Sequence, residues 1–195
     1  MSQRRPIRPE EILDLGDYQR ARSEFQKRAM AARAQRRVLV GPAASFTFEN
    51  RETVRYQIQE MLRAERIAAP EQVAHEIDTY SELLPGPAEL SATLMLEFSD
   101  PEKRARHLGE LVGLERHVHL VAGESRAPAR FDETQLDPDR VSAVQFVRFP
   151  LGGPVLTALG RGDPVRLRID HPAYTHEAEL PAATVAALLR DLAEV

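Results

Sequence analysis

The chain of 195 residues contains no cysteine and no tryptophan, and only 6% of its residues are aromatic. Without cysteine it cannot form disulfides, hold an iron–sulfur cluster through thiolates or use a thiol nucleophile. Any bound metal must therefore be held by His, Asp, Glu or backbone groups. No hydrophobic run reaches the roughly 18 residues that span a bilayer, and no apolar signal segment follows the basic start. We therefore expect a cytoplasmic protein with no membrane association.

The sequence also lacks the short motifs of common enzyme classes. It contains no Gly-x-Gly-x-x-Gly, no Walker phosphate loop, no Gly-x-Ser-x-Gly elbow and no His-Glu-x-x-His. The glycine-rich stretch at 151–163 contains Pro154 and is followed by Pro164 and a strand-like run, so we predict a surface loop there. No cofactor is identified, and the sequence leaves open whether the protein is an enzyme.

Charge is distributed unevenly along the chain. Residues 1–40 carry 10 Lys and Arg against 5 Asp and Glu, whereas the remaining residues carry 16 against 25. A basic segment can bind nucleic acid or an acidic partner, but a base-stacking platform needs interleaved aromatic residues. Only Tyr18 and Phe25 are aromatic in this segment. We therefore expect a solvated helix, or a helix that contacts a second copy of the chain in a homo-oligomer, and not a nucleic-acid site.

Hydrophobic periodicity divides the chain into two parts. The first, 1–87, is predicted to be largely helical, and the second, 88–195, is rich in strand-like runs; the two can also form one continuous domain. Most of the predicted strands follow one another without intervening helices. We therefore predict an α+β fold in which a helical N-terminal part packs on a mostly antiparallel sheet with flanking helices.

One predicted helix carries charges within its apolar stripe. In NRETVRYQIQEMLRAERI, residues 50–67, Arg51 and Glu65 fall on the apolar face but lie 14 residues, roughly 21 Å, apart, so they cannot pair. A buried charge needs an opposite charge from elsewhere. Glu76 on the next helix is the nearest candidate for Arg51 or Arg55. Internal ion pairs are the favoured interpretation; an anionic ligand at the two arginines and a subunit or partner interface are the alternatives.

A second set of residues resembles a metal-ligand pattern. Glu115, His117 and His119 alternate, so on a strand they share one face. His-x-His with a carboxylate suits iron, zinc or manganese, but it is also typical of a solvent-exposed face. Metal binding is favoured if His171 or His176 joins this set. The stretch DHPAY, residues 170–174, places an acid beside a base, although a proline between two strands more often marks a hairpin.

Two blocks of the sequence carry a resemblance to a known family. FTFENRETVRYQIQEMLRAERI and EIDTYSELLPGPAELSATLMLEF resemble the signature blocks of an uncharacterised bacterial family, a domain of unknown function of about this length. The similarity extends over most of the chain. The resemblance implies genes often located beside rubrerythrin-like and iron–sulfur oxidoreductase genes, and hence an accessory part in a redox or peroxide-defence system. It carries over no catalytic residue.

Two hypotheses of different class follow. In the first, the protein is a non-catalytic accessory protein that docks onto a redox partner or onto its own copy through the helical N-terminal part. In the second, it is a non-haem metal-binding protein that holds iron or zinc through His and carboxylate ligands. A partner that no longer binds when 1–37 are deleted would favour the first, and stoichiometric metal removed by His substitution would favour the second.

Overall fold

A computed structural model describes residues 6–194 of the chain, without the side chains of Glu102 and Lys103. Its α-helices are α1 (Leu15–Ala34), α2 (Arg51–Glu65), α3 (Pro70–Ser81), α4 (Pro101–Glu110), α5 (Gly153–Arg161) and α6 (Ala182–Ala193). Its strands are β1 (Arg37–Val40), β2 (Ala44–Phe48), β3 (Glu89–Leu96), β4 (Val118–Ala122), β5 (Ser125–Pro128), β6 (Arg130–Phe131), β7 (Val144–Pro150), β8 (Val165–His171) and β9 (Tyr174–Glu179). The predicted α+β class is confirmed.

The strands form two antiparallel sheets where the sequence predicted one. The first sheet has the order β1-β2-β3-β7-β6, and the second has the order β5-β4-β8-β9. Strand β2 pairs along its whole length with β3, so hydrogen bonding continues across the predicted division at residues 87 and 88. The first five residues of the predicted N-terminal part, and Val195, lie outside the described residues.

One large apolar core lies between the two sheets. Because successive strand residues point to opposite faces, alternate side chains of each sheet enter this core. Phe46 and Phe149 come from the first sheet, and Leu120 and Leu167 come from the second; all four are fully buried. Helices α4, α5 and α6 contribute further apolar side chains to the same core: Leu108, Val155, Ala158, Leu159 and Leu188.

Helices α1, α2 and α3 form a layer with two smaller apolar clusters. One cluster joins α2 to α3 and to Phe146, which lies on the face of β7 that points away from the large core. The other joins α1 to α2 through Tyr18, Phe25, Ala29 and Tyr56. None of the helices between residues 6 and 194 combines the length and the apolar character needed to cross a membrane.

A buried ion pair connects the helical layer to the C-terminal helix. The Arg36 guanidinium donates two hydrogen bonds of 2.8 Å to the carboxylate of Asp191 in α6, and both side chains are only 7% exposed. Arg36 also donates to the backbone oxygen of Ala32, and Asn50 donates to Asp191. This two-bond geometry fixes where α6 meets the end of α1.

The predicted loop at 151–163 is wrong, because most of it forms α5. Pro154 lies in the first turn of the helix, where a missing N–H costs no intrahelical hydrogen bond. Val155, Ala158 and Leu159 are spaced to bury one face against the core. Gly162 ends the helix with a positive φ of 77°. The glycines and prolines therefore mark the ends of a helix.

Candidate functional site

Arg51 is paired within the chain, as the favoured interpretation predicted, but through a residue that precedes α1. Its Nε donates to Oε2 of Glu11 at 3.1 Å, and its Nη2 donates to the other carboxylate oxygen and to the backbone oxygen of Pro6. Burial acts to raise the pKa of Glu11, but hydrogen bonds from Arg51 and Arg8 outweigh it and lower that pKa to about 2. The partner of Arg51 is therefore Glu11, whereas the sequence predicts Glu76.

Arg55 meets an aromatic ring. Its guanidinium carbon lies 4.6 Å from the centre of the Phe25 ring, and that of Arg28 lies 5.2 Å from the same centre. The Nε atom of Arg55 is buried and has no hydrogen-bond partner within the described residues. This arrangement is a cation–π contact between α1 and α2. The two predicted anion-binding arginines therefore have different partners.

Glu65 and Glu76 differ in exposure. Glu65 is the last residue of α2 and is exposed, because Arg66 takes a left-handed backbone conformation (φ 55°) and ends the helix. An exposed Glu65 needs no opposite charge from elsewhere in the fold. Glu76 is half-buried on α3. Burial, and then the charges of Glu76 and Glu65, raise the pKa of the Tyr80 phenol.

The two predicted histidines converge on Asp170. Nδ1 of His117 lies 3.0 Å from Oδ1 of Asp170, and Nε2 of His119 lies 3.5 Å from Oδ2. Strands β4 and β8 bring them together, since Asp170 donates its backbone N–H to the oxygen of His117. Glu115 does not alternate with them along a strand: it lies in a 3₁₀ turn, Leu114–Arg116, and pairs with Arg116 at 3.4 Å.

The remaining predicted histidines have other roles. His171 accepts a hydrogen bond at Nδ1 from the backbone N–H of Ala173, and its Nε2 lies 3.1 Å from the backbone oxygen of Val112. This pattern assigns a neutral ring whose Nε2–H donates. His171 therefore has no free nitrogen, although its ring is 5.1 Å from that of His117. His176 packs against Tyr174.

Electrostatics keep the acid charged and the buried imidazole neutral. Burial lowers the pKa of His119, nearby Arg126 and Arg168 lower it further, and Asp170 only partly opposes them. For Asp170, burial acts to raise the pKa, but the hydrogen bond to His117 and the positive charge of Arg168 lower it. We infer a carboxylate that faces two imidazoles, with Nδ1 of His119 buried and without a hydrogen-bond partner within the described residues.

An apolar row on the first sheet has no counterpart in the sequence predictions. Leu39, Ser45, Met95 and Val144 lie directly opposite one another on four neighbouring strands. Leu39 is 63% exposed, Met95 40% and Val144 39%, whereas Ser45 is buried between two of them. The signal was present in ELSATLML, where every second residue from Ser91 to Met95 faces away from the core. Alternation along one strand does not reveal the row as exposed, because exposure depends on which part of the outer sheet face the helices cover.

The chain matches one family model and resembles a solved structure. The chain matches the family described as "Protein of unknown function (DUF3501)" over residues 6–192. The chain belongs to the DUF3501 family. It is also similar to the crystal structure of a novel protein of unknown function from Burkholderia pseudomallei K96243, with 33% identity and a TM-score of 0.89, over 96% of this chain and 99% of that one. A comparison with curated proteins found no match.

The family match confirms the predicted resemblance to a domain of unknown function. The expected gene neighbourhood of DUF3501 proteins stays a prediction. Within the described side chains of this DUF3501 chain, no three or more His, Asp or Glu are placed so that they could together hold a metal ion. The His117–Asp170 contact nevertheless resembles the outer shell of metal sites and of catalytic bases, in which a carboxylate orients an imidazole and leaves its other nitrogen free.

Proposed function

We propose that this DUF3501 protein is an accessory protein, without catalysis of its own, that docks transiently onto a partner in a cytoplasmic redox or oxidative-stress system. The exposed apolar row of Leu39, Met95 and Val144 is the observation that supports docking. Isolated exposed apolar residues are common, but exposed apolar residues grouped on one sheet face beside charged residues are typical of an interaction surface. The redox assignment rests on the gene neighbourhood implied by the family resemblance.

The row has the composition of a small interface. Arg37 and Glu97 form an ion pair of 2.9 Å beside it, and Glu97 accepts a hydrogen bond from the buried Ser45 hydroxyl. Both charged side chains are about half exposed. An apolar centre with charged neighbours allows apolar contact to supply affinity while the charges orient the partner.

The size of the row favours a transient partner over a stable homodimer. Its three apolar side chains span three strand spacings, about 14 Å. A stable interface usually buries about 800 Å² on each partner, whereas redox encounter complexes lie at the lower end of the range. Several arginines of the N-terminal helix already pair within the chain, such as Arg22 with Glu60 and Arg28 with Glu52. We therefore propose docking at the sheet face, whereas the sequence predicts docking through the helical N-terminal part.

The test measures binding of the purified chain to a purified rubrerythrin-like protein and, separately, to an iron–sulfur oxidoreductase of the same bacterium, by titration calorimetry near 0.15 M salt. We expect Met95→Lys, alone or with Leu39→Lys, to weaken binding about tenfold. Leu156→Lys, at an exposed position of α5, is the matched control and should leave binding unchanged. Equal binding by Met95→Lys and wild type would refute the sheet-face proposal, as would self-association that Met95→Lys abolishes.

The alternative, a non-haem iron or zinc protein, has one observation in its favour. Asp170 faces Nδ1 of His117 and leaves its Nε2 free, which is how carboxylates orient metal-bound histidines. A metal there would also need further ligands. Elemental analysis of the purified chain, with His117→Ala and His119→Ala beside it, tests this alternative. Stoichiometric iron or zinc that both substitutions remove would replace the accessory role with a metal-centred one.

A further inference from the structure

A cavity of about 400 Å³ opens where the ends of the two sheets meet α4. Its walls come from the turn between β1 and β2, the connection from β3 to α4, one face of α4 and the start of β9. Small-molecule sites in proteins commonly have volumes of about 300–1,000 Å³ and are largely apolar with a few polar groups. This cavity lies outside the His117–Asp170 contact and does not depend on the docking proposal.

One wall is held in place by Tyr174. Its hydroxyl donates a hydrogen bond to the backbone oxygen of Val40 at 2.6 Å and accepts two, each of 3.0 Å, from the N–H groups of Ala43 and Ala44. The turn also packs tightly on the neighbouring histidine, because a Cβ on Gly41 would lie 2.5 Å from the His176 ring. Gly41 has a φ of 71°, which favours glycine. The wall is therefore preformed.

The opposite wall presents an aromatic stack. The rings of Phe98 and His107 are stacked with their centres 4.8 Å apart. Nδ1 of His107 lies 3.0 Å from Oε2 of Glu110, so with a neutral ring the Nδ1–H donates to the carboxylate and Nε2 is left as an acceptor. Phe98 on this wall and Tyr174 on the other give the cavity aromatic surface. Aromatic faces attract cations.

The charged groups of the cavity are acidic. Glu97, Asp100 and Glu110 line it, and among the described lining residues there is no lysine or arginine. Three arginines outside the lining reduce this negative charge. Arg37 pairs with Glu97, Arg106 pairs with Glu110 at 3.1 Å, and Arg104 donates to the backbone oxygen of Phe98. The lining nevertheless offers more hydrogen-bond acceptors than donors. A ligand that complements it brings hydrogen-bond donors, as an ammonium group does.

We propose that this cavity binds a small organic cation: a protonated amine attached to an aromatic or other apolar body. The apolar body packs between the Phe98–His107 stack and the wall held by Tyr174. The ammonium group is directed to the carboxylates at the α4 side, among them Glu110, whose two oxygens also contact Arg106 and His107. The specificity of the site therefore comes from charge at one end and from aromatic contact at the other.

The first experiment compares three probes of similar shape and different charge. Phenethylamine, 2-phenylethanol and 3-phenylpropionate are titrated into the full-length protein near neutral pH, with binding followed by ligand-observed NMR. We expect phenethylamine to bind at least about threefold more tightly than the alcohol, because an exposed ion pair adds a small favourable contribution, and we expect no binding of the carboxylate. Equal binding of amine and alcohol, preferential binding of the carboxylate, or no binding of any probe would overturn the proposal.

The second experiment places the amine in the cavity. Glu110→Gln should weaken phenethylamine binding about threefold, whereas Glu177→Gln, an exposed carboxylate outside the cavity, should not. Ala173→Leu adds volume at the lining and should abolish binding; Ser99→Leu is the second filling variant if the first unfolds. Thermal midpoints establish that each variant is folded. Unchanged binding in a folded filling variant, or equal effects of Glu110→Gln and Glu177→Gln, would contradict the assignment.

Discussion

The helical layer and the core between the sheets are stabilised in different ways. The core between the sheets is one large cluster of apolar side chains from both sheets and from α4, α5 and α6. The layer of α1, α2 and α3 has two small clusters. Charged side chains join α1 to α2 through Glu60 with Arg22 and through Arg55 with the Phe25 ring, and Glu11, which precedes α1, pairs with Arg51. Where apolar stripes are narrow, charged and cation–π contacts define how the helices meet.

The largest expected effect is in the core between the sheets. Phe149→Ala removes a fully buried ring whose centre lies 6.4 Å from that of Phe46 and 6.1 Å from that of Phe48. We expect a loss of about 3–5 kcal/mol in the free energy of unfolding, measured by urea denaturation. Met95→Ala, an exposed apolar residue of the same sheet, is the control and should change it by less than about 0.5 kcal/mol. Equal losses would show that the core is not concentrated between the sheets.

The next effect is expected at the ion pair between the two regions. Asp191→Ala leaves the Arg36 guanidinium buried without its carboxylate, so we expect a loss of about 3 kcal/mol. In the double variant Arg36→Met with Asp191→Leu, no charge stays buried, and most of this stability should return. Thermal and urea denaturation of the three proteins measure the difference. A double variant less stable than Asp191→Ala would show that the ion pair itself stabilises the fold, and that the loss in Asp191→Ala does not come only from the unpaired charge of Arg36.

An acid-dependent effect is expected at Glu60 in the helical layer. Hydrogen bonds from Arg22, above all, and from Tyr18 and Arg63 lower the pKa of Glu60 from its usual 4.5 to about 2, although burial opposes them. The folded state therefore favours the carboxylate. Its contribution to stability is fully present above pH 4.5 and is lost as the pH falls to about 2.

Glu60→Gln tests this dependence. Urea denaturation at several pH values should show that the variant is less stable than wild type near neutral pH and that the difference shrinks on acidification to about pH 2. Glu24→Gln, at an exposed position of α1, is the control. A stability difference that stays constant with pH would show that the loss at Glu60 comes from packing and not from its charge.

The smallest effect is expected at the two charges of α2 that fall in its apolar stripe. Arg51→Ala breaks the partly buried pair with Glu11 and should lower the free energy of unfolding by about 1 kcal/mol. Glu65→Ala, at the exposed end of the same helix, should change it by less than about 0.5 kcal/mol. Thermal midpoints measure both. Unchanged stability of Arg51→Ala together with lost partner binding would show that Arg51 contributes to binding and not to the stability of the fold.

Local signals were sufficient for the helix predicted within 50–67, which is α2. Asn50 precedes α2 and accepts a hydrogen bond from the N–H of Thr53, and Pro70 begins α3, as such residues commonly do. The stretch at 151–163 was mispredicted because its prolines and glycines were interpreted as breaks. Apolar residues spaced by three and four positions lie between them, and glycine and proline at the two ends of such a pattern indicate a helix.

The candidate site was less predictable than the fold. His117 and His119 were identified by their spacing, and DHPAY was identified as an acid beside a base, but the two stretches were considered separately. Strand pairing between β4 and β8 brings Asp170 to both histidines. No local pattern specifies which strands pair when they are separated by about fifty residues, because that choice depends on the burial of the whole core.

Residue order alone therefore established the α+β class, the helix within 50–67, the exclusion of thiol chemistry and the family resemblance, because each depends on composition or on local sequence pattern. The division into two sheets, the pairing of Arg51 with Glu11, the exposed row at Met95 and the cavity beside Tyr174 depend on long-range packing. In each of these cases, burial of apolar surface brings together residues that are distant in sequence. Because the hydrophobic effect is non-directional, a local sequence pattern does not specify which residues meet.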